Sequence, residues 1–119
     1  MSNKRVMIVD PNMYNRMVLN NILATNGYSV CYEASSGADA LANYEKARPD
    51  LVLVEALMPD RDGVATIGEL CREFHGCQAV LLASAGQRSY VCEAMSAGAV
   101  DFIAKPISDR RVVSTLKKL

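Results

Sequence analysis

The chain has 119 residues, half of them apolar and 22% charged, with thirteen basic side chains against thirteen acidic ones. A domain of this size buries roughly two-thirds of its unfolded surface, which excludes a disordered chain, a coiled coil and a collagen-like repeat. The even charge balance argues against nucleic-acid or membrane-surface partners, and no apolar run is long enough to span a bilayer.

The opening MSNKR lacks the apolar segment of a signal peptide, so a cytoplasmic protein is expected. The first apolar run, Val6–Val9, ends at Asp10–Pro11. Asn12 then suits a helix N-cap, and Tyr14, Val18 and Ile22, with Met13 and Met17 beside them, step at helical spacing until Gly27 closes the helix. Val30–Tyr32 is the second run, and Ser36 suits the next N-cap. Leu51–Val54 leads to Glu55–Ala56, followed by a helical stripe of Val64, Ile67, Cys71 and Phe74. Ala79–Ala83 leads to Ser84–Ala85 and a helix that Gly98 terminates. Val100–Ala104 leads to Lys105–Pro106, and Val112 or Val113 with Leu116 and Leu119 marks the last helix.

Several of these runs are apolar throughout rather than alternating, as strands covered on both faces must be. Five strand–helix units in alternation predict one three-layer α/β domain over residues 1–119, with a parallel sheet. In such folds the working site lies beyond the carboxyl ends of the strands. Asp10, Glu55, Ser84 and Lys105 stand at four of these five ends. Two carboxylates, a hydroxyl and an ammonium sharing one cleft can bind Mg²⁺ and a phosphoryl group, or can neutralise one another.

The four cysteines, Cys31, Cys71, Cys77 and Cys92, form no CxxC pair, and His75 is the single histidine. Cys71, His75 and Cys77 are too unevenly spaced for a zinc site. Reduced, partly buried cysteines are expected, two in helices and one in a strand.

The segments VMIVDPN, RPDLVLVEALMPDRDG, LLASA and AGAVDFIAKP together resemble the receiver domain of two-component response regulators, above all the chemotaxis-type single-domain receivers. The resemblance covers nearly the whole chain. It implies a flavodoxin-like (βα)5 fold with strand order 2-1-3-4-5, and phosphoryl transfer from a histidine kinase to an aspartate beside bound Mg²⁺. It matches Ser84 to the switch hydroxyl, Phe102 to the switch aromatic and Lys105 to the phosphate-binding lysine. It also implies a cis Lys105–Pro106 bond and a partner face on the fourth helix, fifth strand and fifth helix, near Tyr90, Met95 and Phe102.

Two departures alter what is expected. Glu55 stands where the family has its phosphoacceptor aspartate, and Pro11 follows Asp10 where the family has a second acid. Glutamate reaches roughly 1.5 Å farther than aspartate, and a misplacement on the order of 1 Å can cost ~100-fold in rate. Asp10, Glu55 and the carbonyl of Leu57 remain as metal candidates, so Mg²⁺ is expected to bind weakly or not at all, and no other cofactor is expected. The segment Ser84–Glu93 is also one residue shorter than the common family pattern. The expectation is a non-enzymatic pseudo-receiver that works by binding a protein, with Glu55 paired to Lys105 and a histidine kinase not required. One alternative is a phosphorylatable, Mg²⁺-dependent receiver with an altered site. The other is a flavodoxin-like cofactor binder, which the acidic, glycine-free Asp10–Tyr14 loop suits badly.

Overall fold

The structure is a computed structural model that describes residues 4–119. Its elements alternate as β1 (Arg5–Val9), α1 (Met13–Thr25), β2 (Ser29–Ala34), α2 (Gly37–Ala47), β3 (Leu51–Glu55), α3 (Gly63–Glu73), β4 (Ala79–Ala83), α4 (Arg88–Ala97), β5 (Asp101–Ala104) and α5 (Asp109–Leu116). The strands form one parallel sheet in the order β2-β1-β3-β4-β5, the flavodoxin-like arrangement expected from the sequence.

The pleat divides each apolar strand between two cores. Met7 and Val9, Val52 and Val54, and Leu81 face α2, α3 and α4, where they meet Ala40, Ile67, Leu70 and Ala94. Val6 and Ile8, Leu51 and Leu53, and Val80 and Leu82 face α1 and α5, where they meet Leu19, Leu23, Val112 and Leu116. A strand buried on both faces has no polar position to spare until its end. That is why β1 from Val6 and β3 from Leu51 stay apolar until Asp10 and Glu55.

Side-chain caps start α1, α2, α3 and α5. Asn12 accepts from the Asn15 N–H, Ser36 from Asp39, Asp62 from Ala65 and Ser108 from Arg111. In the first helix Ile22 is buried and Val18 packs against the core, as the helical spacing predicts, with Leu19 and Leu23 completing the core side. Tyr14, Met13 and Met17, in the first turns of the helix, remain 67%, 71% and 61% exposed. Asn26 rather than Gly27 caps this helix, with Gly27 following at φ +87°. The fifth strand begins at Asp101 rather than Val100, whose N–H still bonds to Ala79. Cys92 is exposed, not partly buried. Among the described residues no helix is long and apolar enough to cross a membrane.

Gly63 closes the loop between β3 and α3, its N–H donating to the Ala56 carbonyl at 2.7 Å. A Cβ there would lie 2.3 Å from the Glu55 carbonyl oxygen, whereas a Cβ on Gly86 would meet nothing within 4 Å. Gly63→Ala is therefore expected to lower stability by about 1–3 kcal/mol. Gly86→Ala should stay within about 0.5 kcal/mol of the parent. Urea unfolding of the two variants measures both.

Candidate functional site

The carboxyl ends of β1, β3, β4 and β5 bring the expected residues to one edge of the sheet. Asp10 follows β1 and is 1% exposed. Its Oδ1 accepts from the Asn12 N–H at 2.8 Å, and the Arg16 guanidinium donates to its backbone carbonyl at 2.6 Å while pairing with Glu33. Asp10 Oδ2 is buried and has no hydrogen-bond partner among the described residues.

Glu55 is the last residue of β3 and is 6% exposed. Its Oε1 accepts a short hydrogen bond from Lys105 Nζ, and its Oε2 takes a long one, 3.4 Å, from the Leu57 N–H. The pair spans β4, because β3 and β5 are the two neighbours of that strand. Lys105 is held by its own N–H on the Ala83 carbonyl at 2.9 Å, and the Lys105–Pro106 peptide is cis, as the resemblance implied. Ser84, which follows β4, donates no hydrogen bond to Glu55. Its backbone instead closes a single 3₁₀ turn (Ala85–Gln87), with Ser84 N–H on Gln87 Oε1 at 2.8 Å and Gln87 N–H on the Ser84 carbonyl at 3.0 Å.

The residues present do not fit a tightly held Mg²⁺. That ion requires near-octahedral oxygen ligands and keeps its waters reluctantly shared. Pro11 offers no side-chain oxygen, one Glu55 oxygen is committed to an ammonium, and among the described residues Asp10 Oδ2 is the buried side-chain oxygen left without a partner. Among the described residues no group of three His, Cys, Asp or Glu side chains converges on a metal position. Leu57, 51% exposed, stands at the mouth of the cleft.

Beside the ion pair opens a cavity of about 420 Å³ lined by Ser84, Arg88, Val91, Phe102, Lys105 and Arg111, among others. Phe102 is 40% exposed at its edge, Met95 is 45% exposed on α4, and Tyr90 is partly buried against the α2–α4 core. Arg88 and Arg111 went unremarked in the sequence. Arg88 is the first residue of α4, directly after the 3₁₀ turn at Ser84, and Arg111 lies in the first turn of α5, which Ser108 caps.

Asp60 also went unremarked. From the loop after β3 its carboxylate accepts from the first N–H groups of α2, Ala38 at 2.9 Å and Gly37 at 3.2 Å. Partial burial raises the carboxyl, but these backbone donors outweigh it and hold the group below the usual carboxylate range. The loop that carries Leu57 is thus tied to the neighbouring helix.

The chain matches the response regulator receiver domain over residues 6–117. It is 38% identical over 116 residues to the chemotaxis protein CheY of Thermotoga maritima, covering 98% of this chain and 97% of that one. Among solved structures, NtrX of Brucella abortus superposes with a TM-score of 0.91 at 24% identity, over 98% of this chain but 26% of that one. CheY in a CheX–CheY complex from Borrelia burgdorferi gives 0.91 at 22% identity, over 97% and 87%. Both structures support the fold alone.

Lys105→Met leaves a buried carboxylate without its cation and should lower stability by about 1–3 kcal/mol. Adding Glu55→Gln should recover part of that loss, with a coupling energy of about 0.5–3 kcal/mol in the double-mutant cycle. Because the Asp60 carboxyl is depressed in the folded state, its contribution is present above the unfolded carboxylate range, near pH 4, and fades as pH falls through the folded value. Asp60→Asn is therefore expected to lower the urea midpoint at about pH 7 and to differ less from the parent at about pH 3.

Proposed function

The chain belongs to the response regulator receiver family, and from that premise we propose that it is a pseudo-receiver: a signalling module that engages a protein partner without aspartate phosphorylation. Receivers of this CheY-like kind are signalling proteins of two-component systems that act through other proteins, not enzymes in the usual sense. In this reading residues 1–119 make one receiver unit, and Glu55 stands at the phosphoacceptor position.

One observation carries the proposal. The Lys105 ammonium, the group that would meet an incoming phosphoryl, is already engaged by the Glu55 carboxylate. A phosphoryl brings about −1.5 to −2 charges and three acceptor oxygens. Glutamate brings one charge and two oxygens, so it satisfies the lysine in part and permanently. Pro11 removes the second acid that a metal-assisted transfer draws on, and the extra methylene of Glu55 carries its oxygens off the line of an aspartate. Ser84, Phe102, Lys105 and Pro106 are then a switch retained without its chemical trigger.

The partner face in this reading is α4–β5–α5, with Tyr90, Met95 and Phe102 as its apolar contacts. Tyrosine in particular is enriched where binding energy concentrates. Arg88 and Arg111 flank the adjoining cavity, which favours a partner segment that carries acidic side chains next to apolar ones. A histidine kinase is not required.

The second reading, a receiver that still takes phosphate at Glu55 or through an altered metal arrangement, is favoured by one feature. Asp10 Oδ2 is buried and unpartnered, and an oxygen in that state accommodates a cation or a water.

Incubation with acetyl phosphate and Mg²⁺, followed by intact-protein mass measurement, separates the two. The pseudo-receiver keeps its mass, and calorimetric Mg²⁺ titration gives binding weaker than about millimolar, a scale of roughly 4 kcal/mol. A stable phosphoryl adduct on Glu55 overturns the proposal in favour of the second reading.

A further inference from the structure

The cavity beside the Glu55–Lys105 pair has a one-sided lining. Its volume of about 420 Å³ falls within the range of pockets that hold small molecules. Val91 of α4 with Phe102 and Ala104 of β5 give it an apolar wall, and Phe102 is 40% exposed at its edge. Arg88, Arg111 and Lys105 bring three cations to it, and no carboxylate lines it. Lys105 is engaged by Glu55, whereas neither arginine pairs with a carboxylate among the described residues. Arg111 Nη1 makes one weak contact, donating to the Ala104 carbonyl at 3.3 Å, which holds the guanidinium against the wall. Both arginines also stand in the first turns of their helices, where the positive end of the helix dipole disfavours a cation. Helix stability opposes that placement, yet two separate helices repeat it around one cavity. A bound anion gives both charges a use.

We propose that this cavity binds a small apolar carboxylate, with its acid group at Arg88 and Arg111 and its body against Val91, Phe102 and Ala104. A guanidinium presents a planar fork that matches the two oxygens of a carboxylate, and an aromatic body gives it a face to stack on. An inorganic anion leaves the apolar wall uncovered, and a neutral apolar molecule leaves both arginines without a counter-charge. A ligand with both parts uses the whole lining. Lys105 stays on Glu55, so binding breaks no contact of that pair. The site goes beyond the pseudo-receiver reading, because it gives the chain a small-molecule ligand whether or not Glu55 takes phosphate. One consequence does rest on the partner face proposed above: the ligand and an acidic partner segment occupy the same arginines and exclude each other.

The test titrates the full isotope-labelled chain with naphthoate at neutral pH and follows its backbone amides by NMR. The expected result is saturation with a Kd of about 1 mM or tighter, the scale for a ligand of this size. The shifts should centre on Ser84, Arg88, Val91, Phe102 and Ala104. Arg88→Gln combined with Arg111→Gln should weaken binding about tenfold or more. Both side chains are exposed, so the variant is expected to keep the parent's amide spectrum away from the cavity. Naphthylmethanol, the same body without the charge, should bind the parent as weakly as naphthoate binds the variant. Absence of saturation by about 10 mM overturns the proposal. So does naphthoate binding that the two substitutions leave unchanged, or shifts centred on the exposed Met13, Tyr14 and Met17. Inorganic phosphate giving the same shifts at the same strength also overturns it, since an anion without an apolar body would then suffice.

Discussion

A carboxylate and an ammonium facing each other across β4 are the interaction on which the strand-end edge of this molecule depends. Glu55 is almost wholly buried, and burying a carboxylate costs several kcal/mol unless an opposite charge and hydrogen bonds accompany it. Lys105 supplies the charge, and the Leu57 N–H supplies a second, longer contact. The lysine is less buried than the glutamate, so solvent bears part of its desolvation. The parallel sheet dictates this geometry. With β3 and β5 on either side of β4, the residues that end them must converge, whatever their side chains are. Gly63 guards the arrangement from beneath, since any side chain there would strike the backbone of Glu55.

The pair also links the pocket to the surface. Lys105 follows β5 directly, and Phe102 precedes it by three residues on the same strand, exposed beside a cavity flanked by Arg88 and Arg111. A switch responds only to something that interacts differently with its two states. In the proposed reading the permanent charge of Glu55 supplies that bias, and the partner surface is set by the fold instead of by a transient modification.

Much of this was legible in the chain itself, for physical reasons. Strands buried on both faces must be apolar throughout, so β3 and β4 announced themselves, and so did the polar groups that end them. Caps such as Asn12 and Ser36 carry local chemistry that a single sequence displays. The pairing of Glu55 with Lys105 followed from their positions at strand ends together with the resemblance. What stayed hidden depends on tertiary placement. Met13, Tyr14 and Met17 step with a helical period, yet they stay exposed in the first turns of α1. Asp60 reaches α2 across 22 residues, and no local pattern encodes that hydrogen bond.

The most direct measurement is a crystal structure of the protein soaked with Mg²⁺ and beryllium fluoride, a stand-in for the phosphoryl group. A standing contact predicts that Lys105 Nζ stays on the Glu55 carboxylate and that neither ion takes a place there. Both ions seated at Glu55, with the lysine turned to the fluoride, would contradict it.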